Sequence, residues 1–289
     1  MNIGLLCSGK LGFNTLVVLV ESFTPQFIFT DSNSKEIIDF AENKEIPLFV
    51  GNPTKKDPST FLSEFVTDIV FSINYLFIVN TDVLNHSKLS INLHGSLLPK
   101  YRGRTPHVWA IINGENETGV TAHLMEKGCD TGDVVIQRKI KIEQLHTGAD
   151  ILNIFESLYP EIIFEIVEMF FDNKLIYKKQ NPLLATYFGK RTPEDGEINW
   201  DWNKERINNW VRAQAKPYPG AFTYHYGEKI IIHKISFSEL GFDNTMANGL
   251  ILKTEPKVHI KTSNGVVVLE DYENRQNIVL TENSKFTTL

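Results

Sequence analysis

In the stretch SINLHGSLLPKYRGR, residues 90–104, Asn92 and His94 stand two apart in a strictly alternating segment. Side chains two apart on a strand leave from the same face. Leu89, Ile91 and Leu93 would therefore face one side, and Ser90, Asn92 and His94 the other. Gly95 and Ser96 end the alternation, and Pro99 forbids its continuation inside a sheet. An imidazole beside a carboxamide suits acyl transfer: His moves the proton of an attacking nucleophile, and the Asn NH₂ stabilises the oxyanion that develops on the carbonyl. A carboxylate is still needed. Asp130, in the turn GCDTGD, would complete the set by holding and charging the imidazole, provided the fold brings that turn over the strand end. Taken singly, each residue has an ordinary explanation: a satisfied polar group near a strand end, or a turn residue between Gly128 and Gly132.

The elements that must position these groups read as an α/β pattern. NIGLLCSG, PQFIFTDS and DIVFSINY are short apolar runs ending in Gly, Ser, Asp or Asn, separated by segments of helical character at 14–22 and 34–43. Strand and helix in alternation imply a parallel sheet with covering helices. Such sheets bind ligands beyond the carboxyl ends of their strands. This puts Ser8, Gly9 and Lys10, together with Asn74 and Tyr75, where ligands go. Residues 105–113, TPHVWAIIN, read as a helix with Pro106 in its first turn, ended by Gly114. TGVTAHLM and DVVIQRKIKI read as strands joined by the turn EKGCDTG. A long helix with a kink expected at Pro160 follows. A helix over 207–215 leads into short alternating strands. The expected domains are 1–199, a Rossmann-like catalytic domain, and 200–289, a smaller β-rich, barrel-like subdomain.

Composition excludes several classes. With 42% hydrophobic and 22% charged residues, the 289-residue chain suits a globular fold with a buried core rather than disorder. Net charge is −6 and no long run of lysines and arginines occurs, which argues against nucleic acid as a partner. Cys7 and Cys129 lie far apart without metal-ligand spacing, so neither a disulfide framework nor a metal site is expected. The opening MNIGLLCSGKLG lacks a basic leader, and its apolar run is too short for a bilayer. A cytoplasmic location without membrane association is the expectation.

The block INLHGSLLPKYRGRTPHVWAIINGENETGVTAHLMEKGCDTGDVVIQ closely resembles the signature region of the formyltransferases that use N10-formyltetrahydrofolate. GKRTPEDGEINWDW, VRAQAKPYPGAFTY and the β-rich tail resemble the C-terminal portion shared by methionyl-tRNA and nucleotide-sugar formyltransferases. The resemblance implies that Asn92, His94 and Asp130 are the catalytic set, with N10-formyltetrahydrofolate as donor. It also implies that the pterin is held largely by backbone groups around Phe77, Ile78 and Val79 and around Met125, Gly128 and Asp130. In SLLPKYRGRTP, which resembles the loop beneath the substrates, Ser96, Tyr101 and Arg102 are secondary candidates, for ligand contact or for bracing.

Within that family three features favour a nucleotide sugar over tRNA. CSGKLGFNT replaces the GTP-aromatic motif and basic insertion of the tRNA branch, HGSLLPKYRGRTPHVW carries Gly95 and Trp109, and the net charge is negative. A nucleotide sugar needs an anion cradle, for which Lys10, Arg212 and Lys216 are candidates. It also needs a flat partner for the base, for which Tyr218, Tyr224 and Trp200 are candidates, although packing is the ordinary role of any one of them. The expected acceptor is dTDP-4-amino-4,6-dideoxyglucose, of the sort made for O-antigen and lipopolysaccharide. The alternatives are a dTDP-3-amino sugar, UDP-4-amino-4-deoxy-arabinose or methionyl-tRNA. The absence of a following decarboxylase domain is read against the arabinose enzyme. A homodimer through the C-terminal subdomain is expected.

Overall fold

The structure, a computed structural model, describes residues 1–288. The chain divides into two compact units. One comprises Met1–Pro106, Thr118–Ile140 and Leu152–Phe188; the other comprises His107–Glu117, Lys141–Ile151 and the chain from Gly189 onward. Strands run in chain order β1 (Ile3–Cys7), β2 (Phe27–Thr30), β3 (Leu48–Val50), β4 (Thr67–Ile73), β5 (Ser87–His94), β6 (Arg102–Gly103), β7 (Glu117–Leu124), β8 (Val134–Lys141) and β9 (Tyr187–Phe188). In the second unit they are β10 (Ala221–His225), β11 (Glu228–Ser238), β12 (Ile251–Lys253), β13 (His259–Thr262) and β14 (Gly265–Glu273). Helices are α1 (Gly9–Val20), α2 (Lys35–Asn43), α3 (Ser59–Leu62), α4 (Thr81–Asn85), α5 (Pro106–Ile112), α6 (Gly148–Phe171) and α7 (Lys204–Ala213).

The first unit is the expected Rossmann-like sheet, ordered β3-β2-β1-β4-β5-β7-β8. Strands β3 to β5 pair in parallel, and β7 joins β5 antiparallel. Strand β1 reads IGLLC and is buried throughout, as a parallel strand covered on both faces must be. Gly4 lets the sheet accept a large neighbour: a Cβ there would stand 2.4 Å from the Phe27 ring. Phe27, Phe29 and Phe49 then form a core cluster with Leu6, Leu62, Val70 and Val83.

The chain order reverses between β1 and β4, which opens a crevice at their carboxyl ends. Helix α1 starts at Gly9, five residues before the expected helical segment, because Ser8 alone makes the turn out of β1. Helix α6 runs for 24 residues and contains Pro160, the position of the expected kink. Phe155, Tyr159, Ile162, Ile163 and Ile166 form its buried stripe and hold it on both sides of the proline. The Tyr159 hydroxyl donates to the Leu93 carbonyl at 3.3 Å, and Phe155 fills the space over Gly95. The helix thus backs the strand end that carries His94.

The second unit holds an antiparallel sheet ordered β10-β11-β14-β13-β12, a half-barrel in agreement with the expected β-rich subdomain. The C-terminal tail joins its two edges, bridging Thr287 to Tyr224 and Lys285 to Leu250. Between those bridges Phe286 is fully buried and stacks on Trp200, whose indole N–H donates to the Thr223 hydroxyl at 2.9 Å. Helix α7 begins at Lys204, three residues before the expected start, because the Asn203 side chain accepts the Arg206 N–H at 2.7 Å. Among the described residues no helix is long and apolar enough to cross a membrane.

Candidate active site

Strand β5 lies between parallel β4 and antiparallel β7, with Asn92 opposite His123 and His94 opposite Thr121. Directly opposed residues share a face. Two polar pairs therefore meet on one surface at the carboxyl end of β5. Thr121 is spent on architecture: its hydroxyl donates to the Ser96 carbonyl at 2.6 Å and receives the Gln137 amide at 2.8 Å. Gln137 also donates to the Leu98 carbonyl, so the chain leaving β5 is stapled back to β7 and β8. The Ser96 hydroxyl closes the turn on the Lys100 carbonyl.

This loop delivers the Tyr101 carbonyl to His94 Nε2 at 2.8 Å. Tyr101 reaches that position with φ 61°, uncommon for a side-chain-bearing residue, and its ring stacks on Phe188 at 4.8 Å. A carbonyl only accepts, so Nε2 carries the proton. The basic nitrogen is therefore Nδ1, which faces Asp130 Oδ1 at 3.6 Å. Burial pushes the His94 ring below the ordinary imidazole value; Asp130 and the Tyr101 carbonyl oppose this without overcoming it. The resting ring is thus neutral at pH 7, whereas charge assistance from Asp130 alone predicted an imidazolium.

Asp130 sits at φ 53° in the turn after β7. Its Oδ1 lies 3.5 Å from His123 Nε2 as well as 3.6 Å from His94 Nδ1, and its Oδ2 accepts the Gly103 N–H at 2.8 Å. Burial alone would raise this carboxyl, but the two imidazoles and the Gly103 amide hold it well below the usual carboxylate range. Gly103 can approach because it has φ 103° and no Cβ, which would stand 2.2 Å from the Phe188 carbonyl oxygen. The two-strand ladder of β6 and β9 sets this approach.

Arg102, a candidate for ligand contact or for bracing, is buried and turned to protein partners. Its Nε and Nη2 donate to Gln180 Oε1 at 3.3 and 2.7 Å, and its Nη1 donates to the Tyr187 hydroxyl at 2.6 Å. Gln180 in turn donates to the carbonyls of Asp130 and Gly132, each at 2.8 Å. Arg102 is the back of a brace that fixes the Asp130 turn. Arg104 donates to the Leu76 carbonyl at 2.5 Å.

Of the expected pterin contacts, Val79 and Met125 pack against the same phenylalanine cluster, beside Tyr75. Phe77 stands edge-on to Tyr75 at 5.6 Å, and Ile78 is exposed. Gly128 abuts the Thr131 side chain across the turn that carries Asp130. Val79 and Met125, one from each loop, thus bring the two segments onto one apolar cluster.

At the ends of β1 and β4, the Asn74 amide donates to the Ser8 carbonyl at 2.9 Å and the Tyr75 hydroxyl to the Gly51 carbonyl at 3.2 Å. The Gly9 N–H is already given to the Ser34 hydroxyl, which donates to buried Asp31. Lys10 is exposed and carries the positive charge of this turn. In the second unit, Arg212 donates to the carbonyls of Glu143 and His146 and to Asn209. The Tyr218 hydroxyl pairs with His107 Nε2 at 2.7 Å, and burial pushes it up to about 12. Tyr224 lies on β10, edge-on to Phe222, and Trp200 is in the core. Lys216 lies 3.6 Å from Glu273. Arg212 and Tyr218 are held by local partners, which favours an architectural role for each.

Sequence reasoning missed His123 and Gln180. Alternation in VTAHL puts Thr121 and His123 on one face, but only the antiparallel pairing with β5 turns that face toward Asn92. Gln180 lies 78 residues beyond Arg102 and carries no local signal. Among the described residues no group of three or more His, Cys, Asp or Glu is arranged to hold a metal ion.

Comparison with known proteins bears directly on this arrangement. The chain is 38% identical over 262 residues to the bifunctional polymyxin resistance protein ArnA of Wigglesworthia glossinidia brevipalpis, covering 89% of this chain and 39% of that one. It thus spans about two fifths of that relative's length. Its fold is similar to that of WlaRD, a sugar 3N-formyl transferase solved with dTDP and 5-N-formyl-THF, at TM-score 0.71 and 20% identity over 93% of this chain and 97% of the other. It is also similar to the N-formyltransferase of Helicobacter canadensis solved with folinic acid and dTDP-3-aminofucose, at TM-score 0.72 and 22% identity over 93% and 98%. Residues 26–167 match the family described as formyl transferase, and residues 190–284 match its C-terminal domain. With His94, Asn92 and Asp130 gathered at one strand end inside the first match, the chain belongs to the formyl transferase family.

Proposed function

We propose that the protein transfers the formyl group of N10-formyltetrahydrofolate to the amine of a nucleotide-linked amino sugar, dTDP-4-amino-4,6-dideoxyglucose being the first choice. The observation that carries this reading is the juxtaposition of neutral His94, ionised Asp130 and Asn92 on one face of β5. The donor is assigned to the two loops around Phe77, Ile78 and Val79 and around Met125, Gly128 and Asp130, an assignment supported by the packing of Val79 and Met125 on one apolar cluster. The bound donor supplies an activated formyl carbon. Each chain residue then has a defined task. Asn92 offers a side-chain N–H to the oxygen that becomes negative as a neutral amine adds. His94 Nδ1 takes the proton released by that amine and returns it to N10 of the donor as the formyl C–N10 bond breaks, so that tetrahydrofolate leaves neutral. The resulting imidazolium has both nitrogens satisfied, Nε2–H by the Tyr101 carbonyl and Nδ1–H by Asp130, so charge formed during the reaction meets a preorganised partner. Asp130 lowers the cost of that charge without itself taking the proton.

Support for a nucleotide sugar comes from the negative net charge and from similarity to proteins solved with dTDP and dTDP-3-aminofucose. A second reading, UDP-4-amino-4-deoxy-arabinose, is favoured by the 38% identity to ArnA. The product would enter O-antigen or lipopolysaccharide in the cytoplasm, with residues 1–199 as catalytic domain and 200–289 as a dimerising subdomain. The deciding experiment supplies formyltetrahydrofolate and compares formyl transfer to dTDP- and UDP-linked 3- and 4-amino sugars and to charged initiator tRNA. Turnover confined to tRNA would overturn the sugar assignment. Sedimentation as a monomer at micromolar concentration would remove the dimer.

A further inference from the structure

We propose that His123 is a positioning residue for transfer, fixing which end of the Asn92 carboxamide faces the reacting carbonyl; this rests on the formyl-transfer reading above. His123 is 3% exposed and occurs directly across the β5–β7 ladder from Asn92. Its Nδ1 lies 2.8 Å from the Leu124 carbonyl oxygen. That oxygen has no proton to give, so Nδ1 carries one in either charge state of the ring. In the neutral ring Nε2 is therefore an acceptor, and it stands 3.2 Å from Asn92 Nδ2.

An acceptor at that point selects the amino end of the carboxamide. One Asn92 N–H is then committed to His123, and the second is held in a defined direction, free to meet an oxyanion. Without the imidazole the carboxamide loses the partner that distinguishes its two ends, and its carbonyl can turn to where the N–H should be. The charged and titratable groups that face His123 are Asp130, whose Oδ1 is 3.5 Å from Nε2, and His94, whose ring centre is 6.4 Å away. His123 therefore contacts two members of the site, Asn92 and Asp130.

The test uses the full chain in two assays. His123→Phe keeps the ring volume and removes the acceptor, whereas His123→Gln retains an acceptor oxygen. The expected result for His123→Phe is a fall in kcat of roughly 10- to 100-fold, because a misplaced oxyanion donor forfeits much of its effect. KM for donor and acceptor should stay within about threefold, and His123→Gln should recover at least half the lost rate on a logarithmic scale. The double variant His123→Phe/Asn92→Ala should be no slower than Asn92→Ala alone, since the two residues act as one unit. The second assay needs no substrate. In ¹⁵N spectra the Asn92 side-chain amide, identified by its loss in Asn92→Ala, should show one protected proton that exchanges freely in His123→Phe and is protected again in His123→Gln. Unchanged protection in a folded His123→Phe protein, or independent multiplicative losses in the double variant, would overturn the proposal. Failure to formylate any sugar with the amide result intact would instead remove the sugar reading alone.

Discussion

His94 Nδ1 and Asp130 Oδ1 face each other at 3.6 Å, at 7% and 12% side-chain exposure, while the other ring nitrogen of His94 is held by the Tyr101 carbonyl at 2.8 Å. This separation is an ion-pair distance rather than a tight hydrogen bond, and proton uptake at Nδ1 would convert it into one. The pair has its best geometry for a charge that the resting state lacks.

The pH dependence follows from that arrangement. Burial lowers His94 from its ordinary value near 6.5, so neutral base persists below that pH. The acid limb of kcat/KM should have its midpoint below 6.5. Asp130 is the largest influence raising His94, so Asp130→Asn should move the limb to still lower pH while reducing the plateau by about 10²–10⁴-fold. A pH–rate profile of both proteins checks this; a limb that moves upward would contradict it.

Stability should respond to acid with the same sign at both groups. The native state binds fewer protons than the unfolded chain at His94 between its lowered value and about 6.5, and at Asp130 between its lowered value and about 3.9. Stability should therefore fall as pH drops through each window, and His94→Gln should flatten the upper one. Denaturant titration from pH 7 to pH 2 follows the upper window fully and the lower one from its onset.

Removing the brace behind Asp130 should damage structure and rate together. Gln180→Leu leaves Arg102, 3% exposed, without its Oε1 partner and frees the carbonyls of Asp130 and Gly132. Losing a hydrogen bond to a buried charged group should cost about 2–3 kcal/mol. A kcat loss of roughly tenfold, with KM for the acceptor nearly unchanged, is expected if Arg102 serves the turn rather than a phosphate. A large rise in acceptor KM alone would return Arg102 to substrate binding.

Gly103→Ala tests the approach of β6 to β9. At φ 103° with the Phe188 carbonyl oxygen 2.2 Å from the new Cβ, the backbone must shift and carry the Gly103 N–H away from Asp130. The strain should cost about 1–3 kcal/mol, and turnover should fall further than stability alone explains. Thermal unfolding beside steady-state kinetics separates the two effects.

Phe286→Ala should open the second unit at its seam. The ring is fully buried on Trp200, between the two bridges that join the tail to β10 and to Leu250, beside β12. A loss of about 3–5 kcal/mol is expected for a buried Phe truncated to Ala. Calorimetry of the full chain would detect it, and an unchanged unfolding temperature would show that the tail does not close the sheet.

The sequence by itself determined the local terms of this protein. Period-two alternation put Asn92 and His94 on one face, Pro99 and the glycines marked where strands stop, and the apolar runs called for a parallel sheet. These depend on backbone geometry within a few residues, which any reader of the chain can apply. Tertiary structure decided which distant groups meet that face. Antiparallel register between β5 and β7 brought His123 opposite Asn92, and the Asp130 turn folded back over His94 from 36 residues away in sequence. Gln180 took Arg102 from 78 residues away and so turned toward bracing an arginine that the local sequence left open between ligand contact and bracing. Burial, which no residue carries as a property of its own, left His94 neutral beside an ionised carboxylate. Cross-strand register and desolvation arise only when the sheet is packed, so the sequence named the candidate groups while the fold chose their partners and their charge.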